Sequence, residues 1–256
     1  MARQIYFPLQ AHSKKPLLNP KPKLQTPSIE ASFPIGRHTP LHEAQSIYLK
    51  LKRGCITSTY SHLNQVEDLD YQFNCYGFVN HCIYLSYPRI YFELIEVMNT
   101  VLHEVVPPSF DGKPAPFNYA SIFQSVSSPF WKRIGSFDNA STGDLLVFIP
   151  PNYTHPDSPP INRKSTGTHI AIIHKSYGYH KGSYSFQVID STRVPHGKED
   201  SRYPGKSGIG ISPLIITPYR GGISTVQWGE NESKIFHKEV TVGRLISKHS
   251  FLPLKL

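Results

Sequence analysis

Leu41, Ala44, Ile47, Tyr48 and Leu51 recur three and four residues apart in LHEAQSIYLKLKRG. That spacing lines one face of a helix, and Gly54 supplies a stop. A second helix is predicted from NCYGFVNHCIYLSYP, where Asn74 is a suitable N-cap and Pro88 turns Tyr87 away from helical conformation. RIYFELIEVMNTVLHEVV predicts a third, with Ile95, Met98, Val101, Leu102 and Val105 on one face and Pro107 and Pro108 beyond its end. FNYASIFQSV predicts a shorter fourth.

After Trp131 the periodicity changes. GDLLVFIP, THIAIIHKS, YSFQVIDS, GISPLIITP, STVQWG and KEVTVGRLI are short, apolar or alternating, and separated by Gly, Pro or Asn, as strands are. Helices first and strands afterwards predict an α+β domain with helices packed on one side of a single antiparallel sheet. PPNYTHPDSPPINRKSTG, between the first two strands, is a long polar loop of the kind that often carries function.

Composition changes this picture at one end. Residues 1–40 contain seven prolines, which rule out a continuous helix or central strand there. They also hold six basic residues and one acid, +5 of the chain's formal +9, leaving +4 for the other 216 residues. The chain is therefore divided into a Pro/Lys-rich arm, 1–40, and a domain, 41–256. A nucleic-acid-binding face normally concentrates basic charge on the folded body, so this distribution argues against a nucleic-acid partner. No stretch is long and apolar enough to span a bilayer. MARQIYFPLQAHSKKP lacks the continuous apolar segment of a secretory signal. The expected location is the cytoplasm, or outside it by a route that needs no such signal.

Three cysteines, Cys55, Cys75 and Cys82, with no Cys-x-x-Cys pair, argue against a disulfide framework or a cysteine-based zinc site. Cysteine is often simply buried, and Cys82, two turns into an apolar helix, fits that role. Cys75 differs in falling in the first helical turn, where unpaired N–H groups and the positive dipole end favour a thiolate. Gly77, lacking a side chain, would let a substrate approach, and its amide would be a donor for an oxyanion. His169 opens the apolar strand THIAII and Asp190 closes YSFQVIDS. If these strands pair antiparallel around Gly178–Gly182, base and acceptor share one sheet edge. A metal held by His169, His174 and His180 is disfavoured because residues five apart on a strand face opposite ways. Asp144 reads as a turn-fixing residue and His196 as a solvated loop histidine.

These segments resemble a known family. FNCYGFVNHC is similar to the nucleophile helix of the NlpC-like cysteine peptidase superfamily, usually Asp-Cys-Ser-Gly-Phe-Val. GDLLVFIP followed by THIAII resembles its Gly-Asp-Leu-Val-Phe-Phe … His-Val-Gly-Ile. VIDSTRVPHGKEDSR with a following GIGIS, and STYSHLNQVEDLDYQFNCYGF upstream, resemble a bacterial branch of that superfamily. The resemblance covers roughly residues 55–250. It implies a papain-like fold and a thiol-dependent hydrolase cleaving amide bonds, with Cys75 as nucleophile, His169 as base and Asp190 as third member. Tyr60, Asn74, Tyr76 and Gly77 are expected to line the substrate site, with His62 beside them. Neither a metal nor an organic cofactor is expected, and the partner is a peptide-like or acyl substrate. Asn74 and Tyr76 replace the family's Asp and Ser, which help hold a free amine end in cell-wall members, so amide or ester cleavage is implied without that specificity. Two rival readings are acyl transfer by the same thiol and a non-catalytic binding module.

Overall fold

The computed structural model describes residues 39–102, 111–151, 167–219, 222–229 and 234–247. All of them belong to one compact unit, Arg37–Leu256. Residues 1–38 of the arm, Val105, Pro107 and Pro108, and most of the long loop (152–166) lie outside the described residues.

Helix α1 (Pro40–Lys52) starts where Thr39 accepts a hydrogen bond from the His42 amide and Pro40 supplies a helix-ready φ. It buries Leu41, Ala44 and Ile47. Three short strands follow, β1 (Thr57–Thr59), β2 (Gln65–Glu67) and β3 (Asp70–Gln72), forming a small sheet in the order β1-β3-β2. Helices α2 (Cys75–Ser86), α3 (Pro88–Thr100) and α4 (Pro116–Ser125) come next. The buried stripe of α3 is Ile90, Tyr91, Leu94 and Met98, whereas Val101, expected inside, is 57% exposed. The stripe turned inward contains Tyr91, whose ring meets Tyr84 of α2 at 5.5 Å.

The remaining strands are β4 (Trp131–Ile134), β5 (Leu145–Ile149), β6 (His169–His180), β7 (Ser183–Thr192), β8 (Gly208–Pro218), β9 (Ile223–Gln227) and β10 (Ile235–Leu245). Strands β5 to β9 pair in the order β5-β6-β7-β8-β9, antiparallel throughout. Strand β10 then closes the sheet on itself. Its Ile235–Glu239 half pairs with β9, and Glu239–Gly243 pairs with β5. The result is a closed six-stranded barrel, with β4 added on the last residues of β10.

This overturns the expected fold. The protein is not a papain-like or NlpC-like arrangement of helices on one antiparallel sheet; the sheet has closed, and the helices pack against the outside of a barrel. The physical reason is visible in β5, where all five residues are buried. Leu145, Val147 and Ile149 face the helices together with Phe78, Cys82, Leu94 and Phe123. Leu146 and Phe148 face inward with Ala171, Ile173, Phe186, Val188, Leu214 and Val226. A sheet with two apolar faces must cover both, and closure covers the second face with itself. Among the described residues no helix is long and apolar enough to cross a membrane.

Candidate active site

The start of α2 is held from two sides. Asn74 caps it, its Oδ1 accepting from the Gly77 amide at 2.8 Å. The Asn74 amide in turn donates to Asn64 Oδ1 at 3.1 Å, and Asn64 Nδ2 donates to Asp111 at 2.8 Å. A Cβ at residue 77 would overlap the Asn64 carboxamide, so glycine is required for that packing. Gly77 thus makes room for Asn64, and its amide is committed to the cap. Asn74 is 1% exposed, with Nδ2 directed at His62 Nδ1 at 3.2 Å. These two residues build the scaffold under the nucleophile position, and the space beside Gly77 expected for substrate is filled by Asn64. The Cys75 and Tyr76 amides are the first-turn donors left over.

Cys75 is 8% exposed and lies close enough to His169 to raise the pKa of its imidazole. His169 opens β6, and Asp190 lies near the end of β7. Carrying the pairing Ile172↔Ile189 to the strand ends puts Asp190 opposite Ala171, so His169 reaches it across the diagonal. His169 continues the inward-facing series of Ala171 and Ile173, and its ring lies 6.1 Å from that of Phe148. The base and carboxylate therefore sit at one mouth of the barrel, and α2 brings the thiol to them from outside.

The neighbours of each group set the direction of its pKa shift. Asp190 is fully buried, which by itself favours its neutral form, but Arg202, His196 and His169 outweigh burial and hold its carboxyl well below the usual range. As an acceptor-only carboxylate, its Oδ2 takes N–H donation from His169 Nε2 at 2.5 Å and from His196 Nε2 at 2.8 Å. That leaves Nδ1 of His169 for the thiol. Burial opposes charge on His169, yet Cys75 and Asp190 together raise its pKa to about 10. His196 moves the opposite way, because burial and the neighbouring cations His169 and Arg202 outweigh the pull of Asp190. Two imidazoles on one carboxylate thus carry different protons: His169 is cationic and His196 neutral.

Behind them, Arg202 plugs the barrel mouth. Its Nη2 lies 2.8 Å from Asp190 Oδ1, while Nε and Nη2 form a fork on Asp200 at 2.8 and 2.7 Å. Nη1 donates to the Gly208 carbonyl and Nη2 to Ser212 Oγ. The stem crosses Gly210, where a Cβ would collide with it. Tyr60 lies close enough to Cys75 and Tyr76 to feel their charge; burial foremost, then those neighbours, pushes its hydroxyl up to about 12, so it stays a donor. Tyr76 is half-buried and likewise raised, mainly by burial.

Cys75, His169 and Asp190 are thus brought together, with Tyr60 and Tyr76 beside the thiol. Cys82 is fully buried core, and Asp144 holds a turn by accepting from the Ser141 amide at 2.8 Å while pairing with Arg244. His174 faces Gln187, away from His169. His196, read as solvated, is instead part of the site, and Asn64, Asp200, Arg202 and Trp228 had no assigned role. Asp200 and Arg202 stand in PHGKEDSR, and Asn64 in STYSHLNQVEDLDYQFNCYGF, two segments that carry the family resemblance; Trp228 stands in the predicted strand STVQWG. The donor atoms of His169, Asp190 and His196 lie within 4.8 Å of one another, a grouping able to hold a metal. A cation there would have to displace both Nε2 protons and share Asp190 with the guanidinium of Arg202, which disfavours it.

Comparison with protein-family models, with curated proteins and with solved structures returned no match for this chain.

Proposed function

We propose that this protein is a thiol-dependent hydrolase that cleaves an amide bond through Cys75, His169 and Asp190. One observation carries this reading: the thiol at a helix start stands beside an imidazole whose Nε2 meets a buried, ionised carboxylate. With the proton already on His169 Nδ1, the Cys75 sulfur attacks the carbonyl carbon beside an imidazolium. Asp190 fixes the ring through Nε2 and stabilises the imidazolium. The Cys75 and Tyr76 amides and the Tyr60 hydroxyl are the donors aimed at the developing oxyanion. His169 then returns the proton to the leaving amine, and water attacks the acyl-enzyme. The motif resemblance to NlpC-like peptidases supports the same three roles, here carried by the mouth of a barrel.

The test is a panel of peptide p-nitroanilides and acyl p-nitrophenyl esters, followed for a burst of chromophore. The wild type should release up to one equivalent per chain before steady state, and Cys75→Ala none. Asp190→Asn, which removes the charge that stabilises the imidazolium and turns an NH2 donor on either Arg202 or the imidazoles, should lower turnover by about 10²–10⁴-fold. A burst that survives Cys75→Ala would overturn the assignment.

A further inference from the structure

The chain leaves β7 three residues after Asp190, at Arg193. Hydrogen bonds tie this exit to the nucleophile. Ser191 Oγ donates to the carbonyl of Phe73 at 2.6 Å, two residues before Cys75. On the other side Thr192 pairs with Gly208, and the Tyr60 amide donates to Ser207 Oγ at 3.3 Å. Arg193 therefore emerges on the Tyr60 side of the nucleophile segment, close enough for its charge to oppose the rise in the Tyr60 pKa.

Arg193 is exposed and has no hydrogen-bond or ion-pair partner among the described residues. Carboxylates of the segments that build the site are already engaged. Asp190 is held by two imidazoles and Arg202, and Asp200 by Arg202, Ser212 and the His196 amide. Asp70 accepts from Thr57, Thr59 and Gln72, and Asp111 from Asn64, with Lys113 at 3.7 Å. Asn74, at the position where the resembling family carries an acid, is a buried neutral amide. The rim of the site near the thiol thus presents a cation with no counter-charge among the described residues.

We propose that Arg193 is a specificity-determining residue that binds a carboxylate on the substrate, so the preferred substrates are acidic peptides or acyl compounds with a carboxylate near the scissile bond. A guanidinium matches a carboxylate with two parallel N–H donors, and an unpaired cation at a cleft attracts anions as they approach. This rests on the thiol-hydrolase reading of the same site.

The test needs no natural substrate. Iodoacetate and iodoacetamide present the same alkylating carbon, one with a carboxylate and one with a neutral amide. Their rate ratio at Cys75, measured by mass spectrometry and divided by the ratio for N-acetylcysteine, cancels general changes in the thiol. His169 is itself cationic, so the decisive quantity is the difference between wild type and Arg193→Gln. The ratio should fall roughly five- to tenfold in Arg193→Gln, be partly kept in Arg193→Lys, and shrink in the wild type at about 0.5 M salt. An unchanged ratio in Arg193→Gln, with Cys75 still the fastest-labelled cysteine, overturns the role of Arg193 and leaves the hydrolase reading standing. If Cys75 reacts no faster than Cys55 with either reagent, both readings fall.

Discussion

His196 lies flat on Trp228, ring centroids 3.6 Å apart and planes 5° from parallel, while Trp228 meets His169 edge-on at 5.7 Å. The indole thus covers the side of the two hydrogen bonds that converge on Asp190. A hydrogen bond kept from water is electrostatically stronger than one bathed in it.

Trp228→Ala should therefore weaken the hold of Asp190 on His169. Alkylation of Cys75 by iodoacetamide at pH 6 is expected to slow by about tenfold, equivalent to about 1.4 kcal/mol. Trp228→Phe should keep most of the rate. Equal rates in all three proteins would show that the stack is only packing.

Asn64 and Gly77 form a pair whose energies should not add. Gly77→Ala forces the Asn64 carboxamide away from the Asn74 amide, and we expect a loss of about 1–3 kcal/mol by urea denaturation. In an Asn64→Ala background the same change should be neutral or stabilising, because alanine favours a helix over glycine by about 1 kcal/mol. Identical costs in both backgrounds would place the obstacle elsewhere.

Arg202 is the sole side-chain cation seen to pair with both buried acids, Asp190 and Asp200, among the described residues. Arg202→Met should cost about 3–5 kcal/mol, since it strands charge in the barrel mouth. Adding Asp190→Asn should recover part of that loss. A urea midpoint unmoved by Arg202→Met would mean that water reaches these carboxylates.

His81 predicts an acid limb of stability. Burial, with a smaller push from Lys113, lowers its pKa from 6.5 to about 4, and its ring packs 4.9 Å from Phe73. Between pH 6.5 and 4 the unfolded chain binds this proton and the folded one does not, so stability falls as pH falls, by at most about 1.4 kcal/mol per unit. His81→Phe should flatten the slope in urea titrations between pH 4.5 and 6.5. His169 has the opposite sign: its contribution is complete below pH 6.5 and is lost as pH rises towards 10. A slope that stays the same in His81→Phe would assign the acid limb to other groups.

Local chemistry made part of this protein legible. Asn74 before Cys75 and Pro88 after Tyr87 bound α2 in the sequence as in the structure, because caps and proline act within a few residues. His169 and Asp190 could be placed at strand ends, and antiparallel pairing then brought them to one edge. Closure of the barrel was not legible. It depends on β10 pairing with β9 on one side and with β5, nearly ninety residues earlier, on the other, and local periodicity does not encode such register. LLVFI shows that two faces are buried without saying what covers the second. His196, Asp200 and Arg202 stand in a polar loop whose composition reads as solvated. Their burial exists only because the loop folds over the barrel mouth, where Asp190 supplies the charge that balances Arg202. The sequence by itself determined the helix that presents the thiol and the strands that carry its partners; only the tertiary structure decided what surrounds them, because that depends on long-range closure and on charges paired across segments far apart in the chain.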